Sequence, residues 1–390
     1  MTDVKQIVEP IYLGAKSKYR SVKRHTAWPL IRFAEREAAT MTEASLSLRE
    51  RLSLWRRGFL SRESLTYDFD EYDPEEYLSS FQRQRAAFIN EPFSAALDNK
   101  LLFYWLMAPF EDYRQDVHGL VRDGRFHDVS SSPAGKPRHL AASSDRVELG
   151  DGEGGLPDPN ERIRDRLRAE GRLVLKPIAN GGGKGISVLE HDGGSFLVDR
   201  ERMSGPAFDE FVSTIENRLV CEYVEQASYA ERVFPGSANT VRVVTMLDPE
   251  DEEPFIPAVR HRFGTTDSAP IDSGGDGGFS VSIDVETGRQ VDGMQYHEGI
   301  MKEDDGHPDT GEPVEGLQIP GWEEIRSQIL QMARTYSYLP YIGWDIVVTD
   351  EGDFTVIEAN NCSGTRWLQT DEPLLTDSRV ERFYRNHGVI

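Results

Sequence analysis

Residues 172–186 read RLVLKPIANGGGKGI, and this stretch decides the fold. An apolar strand ends at a first lysine, and three glycines then precede a second lysine: Lys176, Gly181, Gly182, Gly183 and Lys184. Glycines permit positive φ and a close backbone approach, so successive N–H groups can face a phosphate between the two lysines. The turn joins two strands, unlike the Walker loop or the Rossmann fingerprint. It predicts a β-hairpin that folds over a nucleotide; a plain flexible hairpin is the alternative.

A second stretch, residues 343–362, reads GWDIVVTDEGDFTVIEANNC. Asp345 lies on one predicted strand, and Glu358 and Asn360 lie on the next. Because side chains alternate along a strand, Glu358 and Asn360 share a face, and the hairpin register can bring Asp345 to it. These oxygen ligands suit Mg²⁺ bridged to ATP phosphates. The flanking residues are apolar, and buried carboxylates without a cation are costly, which favours a metal site over a polar hairpin face.

A third stretch, residues 219–226, reads LVCEYVEQ. A strand that links two lobes can offer backbone N–H and C=O groups to the edge of an adenine. Glu222, Tyr223 and Val224 are the candidates, although many ordinary strands share this pattern.

The order of elements predicts the architecture. Beyond residue 161, strand patterns and turns alternate with few helices, which favours α+β lobes with antiparallel sheets over a doubly wound fold. Residues 96–122 are predicted as helix interrupted near Pro109. The predicted regions are a basic helical N-terminal arm (1–62), a mainly helical region (63–140), a Gly/Asp-rich loop or linker (141–160), lobe A (161–225) and lobe B with the metal site (226–390).

The charge restricts the partners. A net charge of −23 opposes nucleic-acid binding, which depends on neutralising phosphates. Nine lysines against 35 arginines, on an acid-rich chain, suggest a halophilic source; an acidic protein from an arginine-preferring genome is the alternative. No apolar stretch approaches the roughly 20 residues of a membrane span, no secretory signal is recognisable and two cysteines give no disulfide framework, so we expect a cytoplasmic enzyme.

The N-terminal arm has the opposite charge. Residues 1–62 hold 13 Lys and Arg against 6 Asp and Glu. One face of a predicted amphipathic helix carries the apolar residues Leu48, Leu52, Trp55 and Phe59. The helix could dock on an anionic membrane surface or a partner, but packing on the protein's own acidic body is favoured.

Together these residues resemble the ATP-grasp superfamily. The similarity runs from Lys100 in ALDNK through Lys176, the glycine hairpin and Glu222–Val224 to the three presumed metal ligands. WRRGFLSRESL, DPEEYLSSF, ALDNKLLF, ANTVRVVT and DSGGDGGFSVSIDVETGR most resemble the sugar-transfer-associated ATP-grasp proteins, over about residues 50–370.

This resemblance implies a nucleotide clamped between two lobes. Lys100 and Lys176 would hold the α- and β-phosphates, residues 181–184 would close over the β- and γ-phosphates, and Glu222–Val224 would meet adenine. Asp345, Glu358 and Asn360 would hold one or two Mg²⁺ ions, or Mn²⁺. The implied reaction phosphorylates a carboxylate, and an amine or another nucleophile then attacks the acyl phosphate.

The resemblance also indicates residues around the substrate. Three arginines on strands expected to face the cleft could bind the γ-phosphate or the tetrahedral intermediate, although each could equally be a surface arginine: Arg242, Arg260 and Arg262. Where many relatives carry an arginine two positions before the first metal carboxylate, this chain has Gly343. Glu225 stands close to the hinge, where relatives bind ribose, and Arg366 and Gln369 could line the acceptor pocket.

Three functions are consistent with these residues. The leading one is an ATP-dependent ligase that joins a carboxylate to an amine or hydroxyl and modifies a small molecule, namely a sugar, a glycan precursor or an amino acid. A kinase that phosphorylates a sugar or polyol hydroxyl is the alternative. A non-catalytic nucleotide-binding module of a glycan assembly complex is the third, against which the complete set of metal ligands argues.

Overall fold

The computed structural model describes residues 22–129, 158–179, 183, 185–273, 277–291, 294–297, 300–303 and 306–390. The start of the predicted arm, Gly181, Gly182 and Lys184 of the glycine turn, and most of the 141–160 linker lie outside the described residues.

The described strands, in chain order, are β1 (Val117–Arg122), β2 (Arg125–Asp128), β3 (Arg172–Pro177), β4 (Ser187–Asp192), β5 (Ser195–Val198), β6 (Glu201–Met203), β7 (Arg218–Glu222), β8 (Val241–Leu247), β9 (Pro254–Phe263), β10 (Phe279–Ile283), β11 (Gln290–Val291), β12 (Met294–His297), β13 (Ile300–Glu303), β14 (Tyr341–Asp350) and β15 (Asp353–Asn360). The described α-helices are α1 (Trp28–Thr40), α2 (Leu48–Arg56), α3 (Ser80–Ala86), α4 (Ala95–Asp98), α5 (Lys100–Leu106), α6 (Pro159–Glu170), α7 (Gly205–Ser213), α8 (Ser228–Val233), α9 (Trp322–Thr335), α10 (Thr365–Leu368) and α11 (Ser378–Asn386). Among the described helices, none is long and apolar enough to cross a membrane.

The strands form two large sheets. Sheet A has the order β2-β1-β7-β3-β4-β5-β6, and sheet B has the order β11-β10-β9-β8-β14-β15. Neighbouring strands in both sheets are antiparallel, whereas a doubly wound fold is built on parallel strands. The predicted α+β class with antiparallel sheets is confirmed.

Alternation along β3 divides sheet A into a core face and an open face. Leu173 and Leu175 are buried in a core with Ile163 of α6 and Phe208 of α7. By the two-residue period, Lys176 points to the other face of the sheet.

Sheet B packs on α9 and on the short helices that precede β1. Ile325 and Ile329 of α9 share a buried core with Trp344 of β14. Phe103 of α5 belongs to the same core, which fixes the helix that begins at Lys100 against lobe B.

The prediction of helix through residue 122 is wrong. Residues 117–122 form β1, which pairs with β7 and extends sheet A. Val117 and Val121 are buried there, and pairing with a strand about 100 positions later provides the hydrogen bonds that a helix would have provided locally.

The predicted apolar face of the N-terminal arm is interrupted. Helix α2 ends at Arg56, because Gly58 adopts a φ of +85° and turns the chain. Phe59 therefore leaves the helix and is buried beside Tyr67. Leu48 and Leu52 remain 68% and 43% exposed. We expected this part of the helix to pack on the acidic body of the protein, and it does not.

Candidate active site

A cleft of about 520 Å³ lies between the two sheets. Alternate residues of β3 and β4 form one wall: Arg172, Val174, Lys176, Val188 and Glu190. Strands of sheet B form the opposite wall, which is mainly polar and charged: Thr240, Arg242, Arg260, Arg262, Ser280, Asp345, Val347 and Glu358. One cavity thus contains the lysine that precedes the glycine turn and two of the three predicted metal ligands.

One end of the cleft is apolar. Val174, Val188 and Val224 line it together with Ile357 from the opposite sheet. Ile357 reaches this position through a β-bulge, since Asp345 pairs with Glu358 while the next residue, Ile346, pairs with Val356. Apolar side chains from both sheets make a slot that suits a flat heteroaromatic ring.

The predicted hinge residues face different ways. Tyr223 and Val224 line the cleft. The Glu222 carboxylate instead accepts a hydrogen bond from the backbone N–H of Asp116 at 2.8 Å. The Glu222 carbonyl accepts one from Gln115 Nε2 at 2.8 Å. Burial raises the pKa of the Glu222 carboxyl. Because its side chain is bonded to the backbone of Asp116, Glu222 stabilises the hinge and does not face the cleft.

Lys176 is held by Gln115, a residue that the sequence did not indicate. Lys176 is 5% exposed and donates from Nζ to Gln115 Oε1 at 2.6 Å. Burial lowers the pKa of the Lys176 ammonium, which has no carboxylate in hydrogen-bond contact among the described residues. A phosphate in the cleft would supply the missing counter-charge.

The other predicted phosphate ligand, Lys100, begins helix α5, which packs against sheet B, and it is not among the residues that line the cleft. Its Nζ lies 3.0 Å from Glu358 Oε2, and both side chains are mostly buried. This ion pair connects the start of α5 to the predicted metal site.

Asp345 is the centre of a buried charge cluster. It is fully buried and accepts two hydrogen bonds from Arg242, from Nε at 2.5 Å and from Nη2 at 2.8 Å. Arg262 Nη2 lies 3.3 Å away, and Asn360 donates its amide N–H to Asp345 Oδ2 at 3.2 Å. Burial alone would raise the pKa of Asp345, but Arg242 and Arg262 hold it well below its usual value.

Asp272 extends this cluster from the glycine-rich segment after β9. Its Oδ2 lies 3.4 Å from Arg262 Nε and accepts a hydrogen bond from the backbone N–H of Thr240 at 2.9 Å. Burial raises the pKa of Asp272, and Arg262 offsets part of that shift. Its segment was part of the family resemblance, but no role was predicted for this carboxylate.

The oxygen donors at the sheet B wall fit a hard divalent cation. The β14–β15 register pairs Asp345 with Glu358 and Gly343 with Asn360, so the three donors lie on one face. Within the described part of the chain, no group of three His, Cys, Asp or Glu side chains is arranged to hold a metal. An ion here would therefore use two carboxylates, the Asn360 carbonyl and water, a ligand set that Mg²⁺ accepts.

Other predicted contacts are not in the cleft. Gln369 is fully buried and hydrogen-bonds with the backbone of Leu78, accepting from its N–H at 2.7 Å and donating to its carbonyl at 3.1 Å. The prediction that Gln369 lines an acceptor pocket is therefore wrong; Trp367 and Leu368 line the cleft instead. Arg366 is not among the lining residues, and burial lowers its pKa to about 10.

Glu225, the candidate for ribose, is exposed and is not among the residues that line the cleft. It forms an ion pair with Arg172, whose guanidinium carbon is 4.1 Å from the centre of the Tyr223 ring. Arg172 and Tyr223 both line the cleft, so this contact adds a charge and an aromatic ring to its wall.

A cleft between two antiparallel sheets, with Lys176 on one wall and a cluster of carboxylates and arginines on the other, has the arrangement of the ATP-grasp fold. More particularly, residues 160–380 match the family described as "sugar-transfer associated ATP-grasp", and the chain belongs to this family.

The similarity to individual proteins is weaker than the similarity to the family. No curated protein sequence matches the chain. Among solved structures, the ATP-grasp ligase PsnB with its minimal precursor is 12% identical, with 75% of this chain and 64% of that chain covered and a TM-score of 0.37. The D-alanine-D-alanine ligase from Coxiella burnetii is 12% identical over 79% of this chain and 60% of that chain, with a TM-score of 0.35. The D-cycloserine synthetase DcsG is 12% identical, with 75% and 70% covered and a TM-score of 0.38. The chain thus spans less than two thirds of the PsnB and C. burnetii chains.

Proposed function

We propose that the protein is an ATP- and Mg²⁺-dependent ligase that activates a carboxylate as an acyl phosphate and transfers the acyl group to an amine or hydroxyl. The observation that carries this proposal is that Lys176 of sheet A lines the same cleft as Asp345 and Glu358 of sheet B. The family description favours a sugar or glycan precursor as the molecule that is modified.

Each part of the cleft has a role in this reaction. The apolar slot between Val174 and Ile357 would take the adenine ring, and Lys176 and Lys100 would neutralise the phosphates. Arg242 and Arg262, which are paired with Asp345 in this structure, would exchange part of these contacts for contacts with the γ-phosphoryl group. Mg²⁺, or Mn²⁺ in its place, would be held by Asp345, Glu358 and Asn360 and would neutralise charge on the phosphates.

The proposed chemistry has two steps. A carboxylate oxygen of the substrate attacks the γ-phosphorus, the bond to the ADP oxygen breaks, and an acyl phosphate forms. An amine or hydroxyl then attacks the acyl carbon, phosphate leaves, and the nucleophile releases its proton to water. The guanidinium groups of Arg242 and Arg262 would stabilise the negative charge that develops in both steps.

The first test measures nucleotide binding. Mg-ATP should raise the melting temperature of the protein, since a ligand of the native state alone stabilises it. Lys176→Met should remove most of this shift, whereas Lys23→Met, at an exposed position that does not line the cleft, should keep it. An unchanged shift in the Lys176 variant would mean that the phosphates bind elsewhere.

The second test identifies the reaction. ATP, Mg²⁺, hydroxylamine and a panel of carboxylates should yield hydroxamates together with ADP, because hydroxylamine traps an acyl phosphate. Glu358→Gln should lower the rate about a hundredfold or more, while the exposed Glu315→Gln should match the wild type.

The alternative functions give different products. A kinase that uses the same cleft would form ADP and a stable phosphate ester from a sugar or polyol, without hydroxamate. A non-catalytic module would bind Mg-ATP without producing ADP from any substrate in the panel. Either outcome would replace the ligase proposal.

A further inference from the structure

A line of side chains crosses sheet B next to the presumed metal site. Register pairs Asp345 of β14 with Arg242 of β8, Arg242 with Arg260 of β9, and Arg260 with Ser282 of β10. Directly paired residues point to the same face of a sheet, and neighbouring strands are about 4.8 Å apart. The Arg260 backbone is therefore two strand spacings, roughly 10 Å, from the backbone of Asp345.

The arginines of this wall have different counter-charges. Arg242 holds Asp345 through the two donors of one guanidinium edge, Nε and Nη2, and Arg262 lies between Asp345 and Asp272. These two cations are already part of the cluster where the γ-phosphoryl group is proposed to react. The Arg260 side chain instead contacts Thr370 and Asp371, in the segment that follows α10.

Arg260 uses only one of its nitrogens in the described structure. Nη1 donates to Ser282 Oγ, to Thr370 Oγ1 at 2.7 Å and to Asp371 Oδ2 at 3.1 Å. Nε and Nη2 are buried and have no hydrogen-bond partner in the described part of the chain, and the whole residue is 3% exposed. Nε and Nη2 form the edge of the guanidinium that matches the two oxygens of a carboxylate.

Ser280 provides a second unpartnered group on the same wall. It lines the cleft, is 2% exposed, and its hydroxyl has no partner among the described residues. The alternation of FSVSI places Ser280 and Ser282 on one face of β10, and Ser280 pairs across the sheet with Arg262. Ser280 thus lies beside Arg262 and diagonally across from Arg260, one strand further from Asp345 than either arginine.

Buried polar groups without partners are uncommon in native proteins and call for an explanation. If Arg260 served only to anchor Asp371, the bidentate edge would be expected on that carboxylate, yet a single nitrogen makes the contact. A ligand that brings two acceptor oxygens to Nε and Nη2 would satisfy both this edge and, through Ser280, the free hydroxyl.

We propose that Arg260 and Ser280 bind a second carboxylate of the substrate, separate from the carboxylate that is phosphorylated beside Arg242 and Arg262. The substrate class is then a dianion whose two carboxylates lie within the roughly 10 Å that separates the two positions on the wall. This assignment rests on the proposed function and narrows it, since a monocarboxylate would leave the Arg260 edge unpartnered.

The experiment compares dicarboxylates of three to six carbons with their half amides, which keep the shape and lose one charge. Binding is measured by thermal shift at constant ionic strength, both without nucleotide and with Mg²⁺ and a non-hydrolysable ATP analogue. We expect at least one dicarboxylate to bind about tenfold more tightly than its half amide, as a charged bidentate contact requires.

Variants at the two positions test the residues. Arg260→Lys keeps the charge but lacks the bidentate edge, and it should remove the tenfold preference. Ser280→Ala should reduce it by a smaller factor, and it should fold normally because the hydroxyl has no partner to lose. Arg122→Lys, on the exposed end of β1, is the matched control and should retain the wild-type preference.

Each outcome decides the proposal. If no dicarboxylate binds more tightly than its half amide, or if the Arg260 and Ser280 variants keep the wild-type preference, the second-carboxylate site is wrong. A Mg-ATP shift and hydroxamate formation that persist in that case would leave the ligase proposal intact. Absence of the Mg-ATP shift together with an intact dicarboxylate preference would instead reject the ligase and retain the anion site.

Discussion

At the scale of single residues, strand β9 shows how neighbouring positions serve different purposes. Arg260 and Arg262 face the cleft, and His261 between them faces the core. The His261 ring is fully buried, stacks on Phe263 and hydrogen-bonds with the Tyr229 hydroxyl at 2.9 Å. The two-residue period of the strand thus places two cations on one wall and a neutral imidazole behind them.

The buried imidazole predicts a loss of stability in acid. Burial lowers the pKa of His261 to about 3, against about 6.5 in the unfolded chain. The unfolded state therefore binds a proton that the native state rejects, so this contribution is complete above about pH 6.5 and is lost as the pH falls toward 3. Between pH 7 and pH 5 it should lower the free energy of unfolding by about 2 kcal/mol.

His261→Gln tests this pH dependence because glutamine can still hydrogen-bond with Tyr229 but does not titrate. Urea unfolding measures the free energy of unfolding at pH 7 and at pH 5. Between these two pH values the variant should lose less of it than the wild type. The carboxylates titrate in both proteins and so do not contribute to the difference. His127→Gln, at a half-buried position on β2, is the control and should follow the wild type. Equal losses in His261→Gln and wild type would contradict the assignment.

The sequence indicated residues whose chemistry is evident from type and local spacing. Lys176, Asp345 and Glu358 are charged residues within apolar strands, and such an interruption is visible in the chain itself. Gln115 and Asp272 could not be found in this way, because their partners Lys176 and Thr240 lie 61 and 32 positions away. The alternation of FSVSI was the one local signal for Ser280, and its meaning depends on which strand lies beside β10.

At the scale of secondary-structure elements, the β14–β15 hairpin carries the presumed metal ligands, and α9 fixes its turn. Gly321 begins α9 with a φ of +63°, and a Cβ atom on it would lie 2.1 Å from the backbone nitrogen of Gly352 in that turn. Only a residue without a side chain allows the helix and the hairpin to approach this closely.

Gly321→Ala should therefore destabilise the protein by about 3 kcal/mol, from the left-handed backbone and from the overlap with Gly352. Gly316→Ala is the matched control, since Gly316 has a φ of +71° and no atom within 4 Å of a Cβ. The control should lose about 1 kcal/mol from the backbone alone. Urea midpoints measure both changes, and equal losses would show that the contact with the hairpin does not restrict this position.

Strands that pair with sequence neighbours were the easiest elements to predict. The hairpins β3–β4 and β14–β15 are joined by glycine-containing turns, and their alternating patterns predict their bounds closely. β1 was missed because its partner β7 is distant in sequence and because its residues continue an apolar helical run. The bulge at Ile357 was missed for a related reason, since a register shift is a property of two paired strands.

At the scale of the whole molecule, the overall charge composition affects stability more than any single exposed ion pair does. The net charge is −23, and many of the described salt bridges are exposed arginine–carboxylate pairs that contribute little individually. Composition predicts this balance well, but it does not reveal that cations concentrate in the cleft. Arg242, Arg260 and Arg262 come together only when β8 and β9 pair.

The acidic composition predicts that salt stabilises the protein. Repulsion among carboxylates opposes the compact state, and the Debye length falls from about 10 Å at 0.1 M to about 3 Å at 1 M salt. Simple screening is therefore largely complete by about 1 M KCl. A melting temperature that continues to rise toward about 2 M KCl would indicate the halophilic adaptation that the composition suggests; a plateau by about 1 M would fit an acidic protein from an arginine-preferring genome.

A charge variant separates repulsion from other effects of salt. Asp70, Glu71 and Glu75 are exposed, and changing all three to lysine raises the net charge of −23 by six. This variant should melt at a higher temperature than the wild type in dilute buffer and should gain less from KCl, because less repulsion remains to be screened. Full stability of the wild type in dilute buffer, with no change on adding KCl, would show that the acidic surface carries no appreciable self-repulsion and would end the halophilic interpretation.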